Sequence, residues 1–351
     1  MTAELRLLIE CCRCNFAGPP QHHLKSLPAE LDWARFHRLV RFHRVQGLAW
    51  NALEPLADLI PTSIREALAD DAREQLAANL QIALESARLL GAFRSAGMPL
   101  LFVKGLTVGA LVYRNPLLKT GWDVDVLVPA NRLSQAAQVL RSQGYRLALP
   151  KADAQLARWH RTHKDSLWRR AEPDLHVELH PRLVDNASIL PGIGIGSPTQ
   201  DIAVMPGVIL PTLAPDELFA YLCVHGASSA WFRLKWIADL AGLVNGMAPD
   251  SLDALYRRSQ QLGAARAAGQ ALLLADALFG TLDGSSLREE LASERGTAWL
   301  ASAALAQLAI SSEPTGRTFG TWRIHATQLL LRPGLRFKAG ELVRQVREMI
   351  G

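Results

Sequence analysis

Asp123 and Asp125 lie two residues apart in Trp122-Asp123-Val124-Asp125-Val126-Leu127-Val128-Pro129, a run rich in β-branched residues and closed by proline. On a strand, residues i and i+2 share a face with Cα atoms about 6.5–7 Å apart, so the two carboxylates project together while Val124 and Val126 point into a core. Two like charges beside an apolar layer are costly unless a cation answers them, and acids at this spacing suit shared divalent ions. A second segment, Pro173-Asp174-Leu175-His176-Val177-Glu178-Leu179-His180, alternates strictly, with Asp174, His176, Glu178 and His180 on one face. It supplies a third acid. Glu178, mid-strand between apolar neighbours, is preferred to Asp174 at the strand's start, although both share that face. Upstream, Leu100–Val103 reads as a buried strand ending in Lys104-Gly105, followed by a helix over Leu106–Arg114 whose N-terminal amides form an anion-binding end fit for a triphosphate.

These groups need elements to hold them. The first 95 or so residues carry the 3.6-residue period: Trp33, Phe36, Val40, Val45, Leu48 and Leu53 form one stripe, and a long helix starts at Thr62 or Ser63 and stops at Gly97 and Pro99. Asn131–Gln143 reads as an amphipathic helix and Tyr145–Leu149 as a strand. Lys151–Arg170, basic and aromatic, reads as a loop or hairpin over an anionic ligand. The Gly- and Pro-rich stretch 191–211 reads as a loop. Helices are expected from Pro215 through Cys223, over Trp231–Val244, within 250–281 and over most of 287–349. The expected fold is α+β: a small mixed sheet with helices on one face. An N-terminal helical region (1–95) precedes this core (96–190), and a larger C-terminal helical region (212–351) follows it.

At 351 residues the chain exceeds the about 250–300 that one core usually serves, so two packed subdomains are expected. With 49% hydrophobic and 20% charged residues it is too apolar for disorder and too interrupted by charge for a membrane bundle. No run of eighteen apolar residues occurs, and Glu4, Arg6 and Glu10 break up the N-terminus as a signal core, so the expected compartment is the cytoplasm and no membrane partner is expected. Cys11, Cys12, Cys14 and Cys223 make no disulfide framework and are expected reduced. The net charge of +5 suits phosphate-bearing ligands; nucleic acid is permitted by it and is not an expected partner. No Walker A, paired-glycine dinucleotide fingerprint or G-x-S-x-G elbow is found, which sets aside P-loop, dehydrogenase and serine-hydrolase chemistry.

VKGLTVGALVYRNPLLKTGWDVDVLVP followed by DLHVELHPRL resembles a bacterial nucleotidyltransferase family of largely undefined substrate, a branch of the DNA polymerase beta-like superfamily. His225, Leu234-Lys235-Trp236 and Asp239 match positions that recur in that family's helical portion. The resemblance spans roughly residues 30–245 and implies transfer of a nucleoside monophosphate from an NTP, ATP being the first choice, to an unidentified acceptor. It implies that Asp123 and Asp125 hold two Mg²⁺ ions, that Glu178 completes the metal site and orients or deprotonates the acceptor, and that Lys104 and Gly105 contact phosphates. Two departures stand out. Lys104-Gly105 replaces the superfamily's usual Gly-Ser, and Lys119 stands where the branch often has Arg, keeping the charge without the bidentate fork.

Other readings follow from the same residues. His176, Glu178 and His180 form H-x-E-x-H on one face, which a zinc-type hydrolase could use. A chain that keeps the fold as a nucleotide-binding or regulatory protein without turnover is a further alternative. His160 and His163 read as solvated loop residues or phosphate contacts, His225 and Asp239 as a hydrogen-bonded pair or surface residues, and Trp231 and Trp236 as core.

Overall fold

Thr2 caps helix α1 (Ala3–Arg13), its Oγ1 accepting from the Leu5 amide at 3.4 Å, and Asp32 caps α2 (Trp33–His43) by accepting from Arg35 N at 2.8 Å. The computed structural model describes residues 1–19, 21–308 and 322–350. The Trp33–Leu53 stripe is not one helix. Arg44, at φ 55°, turns the chain in the left-handed region, and α3 (Gln46–Leu53) sets off afresh before the long α4 (Thr62–Ser95).

Five strands follow: β1 (Leu101–Phe102), β2 (Asp123–Leu127), β3 (Arg146–Leu149), β4 (Ser166–Arg170) and β5 (Leu175–His180). Their order is β1-β2-β5-β4-β3, with β2 and β5 parallel and the other pairs antiparallel, so the fold is α+β with a small mixed sheet. Between them lie α5 (Leu106–Val112), α6 (Leu133–Ser142) and the single turn α7 (Leu156–Trp159). Val124, Val126, Val177, Leu179 and Trp168 cover one sheet face and share a core with Ile82, Leu89 and Phe93 of α4 and Ala136 and Leu140 of α6. The alternation of β2 and β5 therefore sends every acid of these strands to the other face.

Two segments differ from the sequence reading. Ser166–Arg170 is a full strand, paired antiparallel with β5. Residues 191–211 are not a plain loop, because β6 (Thr199–Met205) and β7 (Val208–Leu213) pair as a hairpin turning at Pro206-Gly207. Prolines at 191, 198, 206 and 211 hide the alternation by which Val204, Val208 and Leu210 enter the sheet core. A two-stranded ribbon tolerates Pro211 because half its backbone groups face no neighbouring strand.

The remainder is helical: α8 (Pro215–Ser228), α9 (Leu234–Val244), α10 (Pro249–Gln261), α11 (Ala265–Phe279), α12 (Leu287–Ser293), α13 (Arg295–Leu308), α14 (Trp322–Gln328) and α15 (Leu335–Ile350). The part of the helical expectation that falls on 309–321 lies outside the described residues. The first helices share one core with this region: Leu8, Phe16, Phe36 and Leu48 cluster with Phe219, Trp231 and Leu272. The Phe16 and Phe279 rings lie 5.3 Å apart, and Arg13 Nη2 donates to Leu278 O at 3.1 Å. No described helix is long and apolar enough to cross a membrane, and all four cysteines are unpaired.

His43 ties the two helical parts together. Fully buried, it accepts from the Leu234 amide on Nδ1 at 3.1 Å and donates from Nε2 to Leu308 O at 3.1 Å, an arrangement only the neutral ring can make. Burial pushes its pKa down to about 4. The unfolded ring binds a proton below about pH 6.5 while the folded one resists it down to about 4, so stability falls as pH drops through that window. The expected loss attributable to His43 is about 2 kcal/mol between pH 7 and pH 5. Urea unfolding at the two pH values checks this: His43→Gln, less stable at neutral pH, should lack that share of the slope.

Candidate active site

The parallel pairing of β2 with β5 sets Asp125 beside Glu178 and Asp123 beside His176. Asp125 is 6% exposed, Asp123 half-buried. Lys104, just beyond β1, brings its Nζ to 2.6 Å from Asp125 Oδ1 and 3.6 Å from Glu178 Oε2. From the end of β5, the buried His180 places Nε2 at 3.2 Å from Asp125 Oδ1 and 3.4 Å from Glu178 Oε2. Ligand-capable atoms of Asp125, Glu178 and His180 all lie within 4.8 Å of one another.

The electrostatics follow from this crowding. Burial raises the Asp123 carboxyl, and the charges of Asp125 and Glu178 help carry it to about 7. Burial alone would raise Asp125 as well, but Lys104 and His180 hold it far below the ordinary carboxylate range. Glu178 feels burial and Asp125 pushing up, yet its bond to His180 and the charge of Lys104 bring it below its usual value. Burial opposes the charge on Lys104 and His180, and the facing carboxylates overcome it, raising both. The centre is thus a compact set of two anions and two cations, with Asp123 at its edge.

Gly105 starts α5 at φ 69°, a conformation that strains any other residue, and no atom lies within 4 Å of where a Cβ would stand. Its backbone is therefore open beside Lys104. Thr107 Oγ1 donates to Lys104 O at 3.2 Å, fixing the turn from behind.

Lys119 does not join the strand acids. It is buried in an ion pair with Asp239 of α9, whose other oxygen accepts from Tyr113 Oη at 3.0 Å. One expectation is corrected, because Asp239 pairs with Lys119 and Tyr113 rather than with His225; the Lys119 ion pair itself was not foreseen. His225 instead packs edge-on against Trp236, with ring centroids 5.8 Å apart. Burial, with Lys104, Lys164 and Lys235 nearby, keeps its ring neutral. Asp174 forms an exposed pair with Arg169 at 2.8 Å, and His176 leans toward Asp174 at 3.5 Å, outside the compact group. The three histidine-strand residues of the zinc reading are therefore divided, with His180 and Glu178 turned to Asp125 and His176 turned away. His160 is buried, not solvated, and His163 stacks on Trp159 with centroids 3.6 Å apart. Trp231 is core.

Sequence reasoning missed Tyr221 as a neighbour of the site and gave Lys164 and Lys235 no charge role of their own. Tyr221, one helical turn before His225 on α8, lies within electrostatic reach of Lys104, Asp125, Lys164 and Glu178, and burial pushes its hydroxyl up to about 12. Lys164, ion-paired with Asp165 ahead of β4, and Lys235 of α9 add positive charge, and Lys235 acts on Asp123. Burial and the charge of Lys119 bring Lys235 down to about 8. The i, i+4 spacing of Tyr221 and His225 was the available signal.

Two buried amides of α4 hold the loop that leads into β2. Asn79 Nδ2 donates to Leu117 O at 2.6 Å and Lys119 O at 2.8 Å, while Gln75 donates to Leu118 O at 2.7 Å and accepts from Thr120 Oγ1 at 2.7 Å. Asn79→Ala strips two buried carbonyls of their donor and is expected to cost about 2–3 kcal/mol, measured as a shift in the urea midpoint. An unchanged midpoint would show that the loop is held by other contacts.

None of the curated proteins matches the chain. Residues 29–280 match the family described as uncharacterised nucleotidyltransferase. With that match running through both strand acids, Lys104 and α9, the chain belongs to the uncharacterised nucleotidyltransferase family.

Proposed function

We propose that the protein transfers a nucleoside monophosphate from an NTP, with ATP the first choice, to a hydroxyl or phosphate of a small molecule, peptide or protein. The P–O bond to pyrophosphate breaks as the bond to the acceptor oxygen forms, and the acceptor's proton passes to a base. In this reading the sheet is a DNA polymerase beta-like core. The observation that carries the proposal is the pairing of Asp125 with Glu178 across parallel strands beneath Lys104.

The donor set suits a hard divalent cation. Asp125 and Glu178 offer carboxylate oxygens, Asp123 adds another on the same sheet face, and the ammonium of Lys104 already sits against Asp125 as a positive counterpart. Asp123, Asp125 and Glu178 would hold two Mg²⁺ ions, whose chemistry when bound is to offset phosphate charge and stabilise the attacking and leaving oxygens. His180 is assigned an orienting role: its Nε2–H donates to both carboxylates, and its raised pKa keeps that proton in place. Lys104, Lys164 and Lys235 give the site the positive potential a triphosphate needs, and the bare backbone at Gly105 allows close approach. Glu178, 27% exposed at its side chain and so the more open member of the pair, is the group assigned to orient and deprotonate the acceptor.

The test is incubation of the protein with Mg²⁺, cell extract and each NTP labelled at its α-phosphate. The expected product is an acceptor heavier by one nucleoside monophosphate residue, identified by mass spectrometry. Failure with every NTP, combined with no metal-dependent NTP binding by the purified protein, would overturn the proposal.

A further inference from the structure

The helix α15 is amphipathic in the inverted sense. Its polar residues Glu341 and Gln345 face the protein at 2% and 4% exposure, where Glu341 accepts from Asn186 Nδ2 at 2.7 Å and Gln345 Nε2 donates to His325 O at 3.1 Å. Four of its apolar residues face out, Leu335, Leu342, Val343 and Val346 being 84%, 53%, 49% and 41% exposed, while Phe337 packs partly buried against the helical core. At 100° per residue these four occupy one arc about 80–100° wide, bordered by Arg336 and Arg347 on one side and Lys338 on the other. Surface helices of globular proteins normally do the reverse, and an exposed apolar face of this kind marks a place of contact.

The charge pattern selects the occupant. From residue 322 onward the sequence carries six cationic residues (Arg323, Arg332, Arg336, Lys338, Arg344 and Arg347) against Glu341 and Glu348, or +4 of the whole chain's +5. Within residues 335–347 of α15 the one acid, Glu341, is buried in its own hydrogen bonds, and Arg336, Arg347 and Lys338 make the borders of the apolar arc cationic on both sides. A second copy of this face would oppose like charges. The complement is a surface at once apolar and anionic, which a bilayer with acidic headgroups provides in one plane. The helix is not of the kind that crosses a membrane, and its 16 residues, about 24 Å long, suit lying in the interface. We infer that α15 docks the protein on an anionic lipid surface. The sequence criteria that argued against a membrane partner address spanning segments and leave such a surface contact open.

The test is co-sedimentation of the full chain with phosphatidylcholine vesicles, with and without about 30% phosphatidylserine, at low and high salt. Expected is binding to the anionic vesicles at least about tenfold tighter than to neutral ones and weakened by salt. The double substitution Leu342→Asp, Val346→Asp should reduce it at least about tenfold with an unchanged circular dichroism spectrum and melting point, since both positions are exposed. Replacing Arg336, Lys338 and Arg347 by Gln should remove the preference for anionic lipid. Equal binding to both vesicle types, or undiminished binding by the Leu342/Val346 variant, overturns the inference. So does absence of vesicle binding by a wild-type protein whose concentration-dependent dimer the same variant makes monomeric, because a second copy would then cover the face; absence of vesicle binding alongside capture of an acidic protein partner overturns it equally.

Discussion

Asp125→Asn and Glu178→Gln are each expected to lower nucleotidyl transfer by about 10²–10³-fold while leaving the fold intact. Either change keeps the shape of the side chain and removes one of two charges that face each other in register. The amide would still occupy the sheet position, but the pair would no longer answer the positive charge the reaction requires, and one acceptor for His180 would weaken. Asp174→Asn is the informative control. Its carboxylate shares the β5 face in the sequence pattern yet pairs with Arg169 at the surface, so its rate should stay within about twofold, as surface pairs contribute little. Turnover of labelled NTP by the three variants, with circular dichroism as a fold check, decides the matter. A silent Asp125→Asn beside a crippled Asp174→Asn would place the chemistry elsewhere.

Lys104→Met is expected to cost about 3–5 kcal/mol of stability in chelator, because it leaves Asp125 and Glu178 facing each other with His180 alone to compensate. Methionine fills a similar volume, so the loss is electrostatic rather than a cavity effect. A cation that binds the folded state would restore part of it by mass action. Magnesium should therefore raise the melting point of Lys104→Met more than that of the wild type, where the ammonium already sits against Asp125. Melting curves with and without magnesium read this directly. An equal magnesium effect on both proteins would mean that the ion and the ammonium do not compete for the same carboxylates.

The local part of this architecture was legible in the residues. Alternation in β2 and β5 assigned the acids to one face and the valines to the other, and Gly97 with Pro99 marked the end of α4. Register was not legible: nothing in the spacing of Asp125 and Glu178, 53 residues apart, states that their strands run parallel and adjacent. The ion pair of Lys119 was hidden for a related reason. Its partner Asp239 is 120 residues away, and a lysine near two aspartates looks the same whether it meets phosphate or a distant carboxylate. β4 was obscured because Ser166-Leu167-Trp168-Arg169-Arg170 offers one fully buried large side chain, Trp168, beside a part-exposed Leu167 and three polar residues, and β6–β7 because proline suppresses the strand signal where an isolated ribbon tolerates it. Asn79 and Gln75 break the apolar pattern of α4 for the loop they hold, a purpose visible only once Leu117, Leu118 and Lys119 are beside them.

The contact of Phe16 and Arg13 with Phe279 and Leu278 also bears on how the protein is made. α1 leaves the ribosome well before its partners in α9 and α11 exist, with Leu8, Cys11 and Cys12 bound for a core that the nascent chain cannot yet build. The sheet and α4 close over contacts nearer in sequence and can form while synthesis continues. The helical body must wait, carrying sticky side chains and two thiols in the open during translation, and a chaperone that shields nascent segments would be most needed there.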